Sequence, residues 1–403
     1  MTYVADLHLH SRYAIGTSSK LSFESLAHWA RIKGIDLLAS ADFTHPAWFE
    51  ETCAKLQDDG DGLFTYGGAR FVLGTELSCV AAQEGRSRRV HMLAFAPSIE
   101  AVVRINGALA LKGRLDGDGR PTLRMTPREL VLTLLDIDGR CLVIPAHAWT
   151  PWYGVYGSKS GFDSLEECFG DVAECVYAIE SGLSSDPAMN WRIPELDGRS
   201  IVSFSDAHSP QKMGRELTVF KGELTYDGLA EALRTQSIAY TVEFFPEEGK
   251  YHHSGHRKCG VSYTPAEVAV NGRRCPKCGR PLTLGVMQRV DELATREVTS
   301  RLDGDGFVRS DNGRPPFKNL VALSGILSET LGAGVNTKRV RTEYDRLVSE
   351  LGSELSVLMD VPMTDVASVS GERVAEGVAR VRAGDISIEP GYDGLYGTVR
   401  LWP

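Results

Sequence analysis

The chain has 403 residues of ordinary globular composition, 42% apolar and 24% charged, and no apolar run approaches the roughly 20 residues a membrane helix needs. The formal charge of −9 hides an asymmetry: residues 250–346 carry 17 Lys+Arg against 10 Asp+Glu, which leaves 27 basic and 43 acidic residues elsewhere. A segment at +7 attached to a remainder at −16 suits a polyanionic partner such as nucleic acid.

In chain order, seven short runs rich in Val, Ile and Leu read as strands buried on both faces: 3–8, 35–41, 71–77, 89–95, 141–147, 175–180 and 199–205. The first begins almost at Met1 and already ends in His8 and His10, so no signal or transit peptide is expected. Between runs, Ser22 can cap a helix whose Phe23, Leu26, Ala27 and Ala30 share a face and which stops at Gly34. Thr126-Pro127-Arg128-Glu129 is a capping box opening a second helix, ending near Gly139. The polar, Gly-rich stretch 113–124 reads as a surface loop. Strand and helix alternation over residues 1–245 predicts a (β/α)7-like barrel rather than an open sheet.

Imidazoles and carboxylates close almost every one of these runs: His8, His10, Asp42, His45, Glu76, His91, His147, Asp206 and His208. Strands of a parallel barrel aim their C-terminal ends at one face, so residues two hundred positions apart can converge there. A convergent His and carboxylate set without thiolates suits two or three divalent ions such as Zn, Mn or Mg in a catalytic rather than structural site. No Ser-His-Asp or Cys-His arrangement competes with hydrolysis by metal-activated water. Cys53, Cys79, Cys141, Cys168 and Cys175 stand alone in apolar or helical context and read as reduced thiols of a cytoplasmic protein.

Barrel periodicity stops near residue 245. There His256-x2-Cys259 and, fifteen residues on, Cys275-x2-Cys278 match loops folded around one tetrahedral structural Zn, with His252 and His253 as alternative fourth ligands. Over 246–300 this predicts a small zinc-binding domain, closing with the helix GVMQRVDELATR, on which Arg289 and Arg296 sit about two turns apart. Residues 301–403 read as a turn-rich linker followed by helices over 319–332, 337–351 and 364–381 and a closing hairpin, that is, a helical C-terminal DNA-binding domain. Trp149, Trp152 and Tyr153, beside the expected metals, are candidates for stacking on bases. Arg257, Arg273, Arg274 and Lys277 in the zinc module, and Lys338, Arg339 and Arg341 at a helix start, are candidates for backbone phosphates.

The order of DLHLH, a downstream Glu76, His91, His147 and SDAH resembles the PHP (polymerase and histidinol phosphatase) superfamily. That resemblance implies ligand roles for His8, His10, Glu76, His91, His147, Asp206 and His208, with Glu76 bridging two ions and Glu76, Asp206 and His208 at the catalytic centre. Two departures stand out: Ser11-Arg12-Tyr13-Ala14-Ile15-Gly16 replaces an SDG-like turn, and the TDH tripeptide is stretched to Ala41-Asp42-Phe43-Thr44-His45. A third metal position would fall to Asp42, to His45, or to neither. Together with SADFTHP, IESGLSSDP, SFSDAHSP, HRKCGV and CPKCG, the whole order resembles the endonuclease Q family. It implies a PHP-type distorted (β/α)7 barrel, a zinc-binding domain and a helical domain. The implied activity is nicking of DNA 5′ to uracil, hypoxanthine, xanthine or an abasic site, leaving a 3′-hydroxyl, with the lesion extruded from the duplex. A nucleoid-associated location and a sliding clamp as candidate partner go with that activity. The alternatives are a PHP phosphatase of small monoesters and a non-catalytic nucleic-acid-binding PHP module.

Overall fold

Each of the seven apolar runs forms a strand in the computed structural model, which describes residues 1–83 and 85–402. They are β1 (Thr2–Asp6), β2 (Leu37–Ala39), β3 (Ala69–Gln83), β4 (Arg86–Ala96), β5 (Leu142–Pro145), β6 (Ala178–Glu180) and β7 (Ser200–Val202). Two more follow, β8 (Leu217–Lys221) and β9 (Ile238–Glu243). Leu7 and Leu9 are buried in the core on one side of the first run, so His8 and His10 alternate onto the other. Ser22 caps the helix Phe23–Lys33, which ends at Gly34, and the Thr126–Glu129 capping box opens the helix Pro127–Ile137.

The barrel is mixed rather than uniformly parallel. β1, β2 and β3 run parallel, as do β6 and β7, but β4 is antiparallel to both β3 and β5, and β8 runs antiparallel to β1. The β3–β4 pair is a long hairpin whose middle, not its end, crosses the barrel mouth. Residues 300–317, expected to be a linker, instead extend this sheet, ending in the strand Phe317–Asn319, which pairs in parallel with β9. The half-buried Arg314 secures the segment by donating to the carbonyls of Leu196, Asp197 and Arg199.

The helical unit consists of Leu323–Leu331, Lys338–Leu351, Glu354–Met359, Met363–Ser370 and Glu372–Ala383. The single helix expected over 364–381 is broken at Gly371, whose φ of 84° an L side chain rarely tolerates. A buried ion pair docks this unit on the barrel: Lys33 Nζ lies 2.5 Å from Glu354 Oε2, which also accepts from the Tyr344 hydroxyl. The helix following the zinc loops ends at Leu293, so Arg296 lies beyond it. Arg289 and Arg296 both turn to the barrel, donating to the carbonyls of Tyr156 and Phe162 and of Trp191. The closing hairpin pairs Ser387–Glu389 with Thr398–Arg400, and its Asp393 accepts from Arg257 N and Thr283 Oγ1 of the small Cys-containing module. Among the described residues no helix is long and apolar enough to cross a membrane.

Candidate metal centre

Six side chains converge at the barrel mouth in two groups that share one carboxylate. His8, His10, Glu76 and Asp206 form the first, and Glu76, His91 and His147 the second, each with its ligand atoms within 4.8 Å of one another. His8 and His10 leave the end of β1; Asp206 leaves the end of β7, where Ala207 bridges Leu9. Glu76 and His91 come from the middle of the hairpin. Glu76 pairs with Leu93 and Ser78 with His91, so the two functional side chains sit diagonally on one face, with His91 Nδ1 2.7 Å from Glu76 Oε1. His147 Nε2 reaches the same oxygen at 3.2 Å, whereas Oε2 faces His8 Nε2 at 3.4 Å and His10 Nε2 at 3.3 Å. Glu76 therefore turns one oxygen to each group.

A second layer fixes these rings. Glu180, at the end of β6 and fully buried, takes His8 Nδ1 at 2.9 Å and accepts from His147 N at 2.6 Å. The motif IESG contains Glu180, but no role attaches to it in the sequence reading; it is a strand-end acid like the others. Asp42 Oδ1 lies 3.3 Å from His10 Nδ1, and Thr150 Oγ1 lies 2.8 Å from His147 Nδ1. Carboxylate or hydroxyl on the far nitrogen sets which ring nitrogen faces the cluster. Arg215 holds the SDAH turn through the carbonyls of Ser205 and Asp206. Three of these positions have left-handed backbones: Asp42 (φ 36°), His147 (31°) and Asp206 (45°). Such strain costs of order 1–3 kcal/mol per residue, comparable to the burial of one large apolar side chain, and Phe43, Trp149 and Phe204 beside them are fully buried.

The donor set fits divalent metal. His8 Nε2 is buried without a hydrogen-bond partner while its Nδ1 is held by Glu180. Burial opposes charge on His8, yet Glu180, Asp206 and Glu76 outweigh it and hold its pKa well above the usual imidazole value. Burial is likewise outweighed at His10, by its hydrogen bonds to Asp206, Asp42 and Glu76. Glu76 is buried too, and the surrounding imidazoles keep it well below the ordinary carboxylate range. The negative charge that draws protons onto these rings is the charge a divalent cation neutralises. His91, where burial dominates, is pushed down to about 4 and stays neutral.

Other expected positions fall elsewhere. Asp42 lies outside both groups because it is committed to His10 and to Ser11 N at 2.6 Å. His45 also stays out, stacked on Tyr13 with ring centroids 4.4 Å apart. Among the described residues no third barrel group forms. His208 flanks the first group, its ring 4.8 Å from His10 and its Nδ1 3.5 Å from Asp206 Oδ1. Trp149 is not available for stacking on DNA, because it is buried with Nε1 donating to Asn190. Trp152 is exposed against Tyr251, and Tyr153 lies over His91 at 4.3 Å. The expected surface loop 113–124 is instead part of the centre, since Arg120 Nη1 donates to Glu76 Oε2 at 3.2 Å.

A separate group lies in the small module, where His256, Cys259, Cys275 and Cys278 come within the same 4.8 Å and His252 and His253 stay outside. Burial pushes the Cys275 thiol up, but amide hydrogen bonds from Lys277 and Cys278 bring it down to about 6, favouring thiolate. Lys277 Nζ and Arg274 are spent on the knuckle's own carbonyls, Cys259 O and Gly279 O, and Arg273 pairs with Glu292. Lys338, Arg339 and Arg341 are exposed on the first turn of their helix.

The fold brings two Glu76-centred groups able to hold divalent metal to one barrel mouth, as a metal-dependent hydrolase requires. Among solved structures, a lesion-specific endonuclease from Pyrococcus furiosus superposes at a TM-score of 0.87 with 31% identity, over 99% of this chain and 95% of that one. An endonuclease Q bound to a 27-mer duplex with an abasic lesion at its active site superposes at 0.84, also at 31% identity, over 99% and 96%. The chain belongs to the endonuclease Q family of metal-dependent endonucleases. An uncharacterized Bacillus subtilis protein, YqxK, is 28% identical over 98% of both chains. The uncharacterized Methanocaldococcus jannaschii protein MJ0043 is 31% identical over 64% of this chain, and the match spans only 32% of that relative's length. The family described as MJ0043 C-terminal domain matches residues 322–385, the helical unit.

Proposed function

We propose that this chain nicks duplex DNA on the 5′ side of a deaminated base (uracil, hypoxanthine or xanthine) or an abasic site, leaving a 3′-hydroxyl. The observation that carries the reading is the buried pair of ligand groups around Glu76, in a chain that superposes along its length on an endonuclease holding an abasic duplex. His8, His10, Glu76 and Asp206 would hold one divalent ion and Glu76, His91 and His147 another. When bound, such ions polarise phosphoryl oxygens and acidify water. The chain's own residues set the geometry: Glu180 and Asp42 fix the rings of His8 and His10, and Thr150 fixes that of His147. Asp206 is the first-group ligand most open to solvent, with a side chain 24% exposed, so the phosphate enters on its side. Burial lowers the pKa of His208, which leaves it neutral beside Asp206 to accept a proton during attack. Trp152 can stack on or beside an extruded base. The chain works as a barrel to residue 245, a zinc-held module over 246–300 and a DNA-gripping unit beyond 301.

The test is incubation of purified protein and Mg²⁺ or Mn²⁺ with end-labelled duplexes carrying uracil, hypoxanthine, xanthine, an abasic site or no lesion. One nick 5′ to the lesion is expected, with undamaged duplex intact. Hydrolysis of small phosphate monoesters with every duplex untouched would overturn the reading in favour of a PHP phosphatase.

A further inference from the structure

Residues 113–124 form a strap across the barrel mouth, pinned on both sides of Arg120. Gly119 N donates to Tyr13 O, Asp118 Oδ1 accepts from Ile15 N and Arg120 N, and Ser78 N donates to Pro121 O before Thr122 and Leu123 pair with Ser78 and Cys79 on β3. The strap is pressed against the ligand layer, since a Cβ at Gly119 would run into Asp42 Oδ2. Its one inward cation is Arg120, with Nη1 3.2 Å from Glu76 Oε2, the oxygen facing the first ligand group. Among the described residues no other Lys or Arg side chain pairs with a carboxylate of the two groups. Glu76 is sealed, whereas the Arg120 side chain is 23% exposed, so its guanidinium spans the boundary between ligands and solvent.

A fixed cation beside a metal-binding carboxylate opposes cation binding, so it calls for a compensating anion. A guanidinium presents several donors in a fork that matches phosphate oxygens, and Nη1 is the only guanidinium nitrogen of Arg120 with a hydrogen-bonded side-chain partner among the described residues. We infer that Arg120 is the residue that grips the scissile phosphodiester, resting on Glu76 in the free protein and donating to a non-bridging oxygen when substrate enters. This rests on the phosphodiesterase reading of the same site and adds a catalytic residue to it. Charge growing on the equatorial oxygens during transfer would strengthen that contact.

The experiment compares wild type, Arg120→Ala and Arg120→Lys in single turnover on an abasic duplex and on bis(p-nitrophenyl) phosphate, a phosphodiester without a lesion. Bound metal and melting temperature are measured alongside. For Arg120→Ala, rates on both diesters should fall at least about 100-fold, with metal content and melting temperature unchanged and Arg120→Lys intermediate. A methylphosphonate at the scissile linkage, which removes the non-bridging charge, should weaken duplex binding by wild type in EDTA but have little effect on Arg120→Ala. Rates within threefold of wild type, equal sensitivity to the methylphosphonate, or loss of metal in Arg120→Ala would each overturn the inference, the last by making Arg120 a positioning residue for Glu76. Wild-type cleavage of the small diester but of no duplex would reject the DNA reading while leaving Arg120 tested; wild type inert on both would reject both.

Discussion

The two ligand clusters of this protein are built on opposite principles. The barrel cluster draws its ligands from five chain segments spanning residues 8 to 206, buries nearly all of them and orients them through Glu180, Asp42 and Thr150. The Cys3His cluster is local, lies within residues 256–278, and has behind it only a small apolar cluster of Val261, Cys275 and Leu282. The barrel packs a large apolar core beneath its ligand set and holds Asp42, His147 and Asp206 on left-handed backbone. The knuckle buries only a small apolar cluster, so a bound metal would substitute for a core. Ions held in the barrel would serve chemistry; an ion held in the knuckle would hold the fold.

That contrast is sharpened most by removing one ligand from each. Cys275→Ser should lose one equivalent of zinc by elemental analysis and raise hydrogen exchange across 252–293, while the barrel retains its protection. The binding free energy at stake is about 10 kcal/mol or more at pH 7. Equal zinc in variant and wild type would remove the structural site. Asp206→Asn should lower nicking by more than about 10³-fold, the several kcal/mol that metal assistance contributes, without lowering the melting temperature. A fall in melting temperature as large as that of Cys275→Ser would break the comparison. Glu180→Gln probes the orienting layer: the barrel ions should bind about 10–100-fold more weakly, as read by metal titration, with knuckle zinc untouched.

Much of this was legible in sequence because strand periodicity and strand-end chemistry are local signals. The seven apolar runs are all strands, and the capping residues Ser22 and Thr126 sit where they were expected. What was not legible depends on partners distant in sequence. β4 is antiparallel, so Glu76 and His91 act from mid-strand rather than from strand ends. β8 is a four-residue buried run, LTVF, too short to separate from loop by pattern. Segment 300–317 has the composition of a linker, and the strand at 317–319 that closes it forms only because β9 offers an edge. Trp149 looks like its neighbour Trp152 in sequence; only tertiary packing buries one and exposes the other. Arg120 and Asp42 likewise acquire their roles from what the strap and the long turn after β2 lie against.

The smallest expected effect separates the two regions by pH. Beneath the barrel cluster, Glu243 is fully buried; burial pushes its pKa up to about 8 against the hydroxyl donors of Thr241, Ser203 and Ser181. Unfolded, the same carboxyl titrates near about 4.3, so between those values the folded chain holds a proton that the unfolded chain has released. More protons bound in the folded state means stability falls as pH rises through this window, and the contribution is gone above about 8. Glu243→Gln removes that titration, so its unfolding free energy should decline less than that of wild type between pH 5 and 9 in urea titrations. The zinc knuckle should move the other way, because its thiols must lose protons to bind metal and Cys275 does so near 6. Rising pH would then loosen the barrel slightly while tightening the knuckle. Parallel pH slopes for Glu243→Gln and wild type would remove Glu243 from the balance.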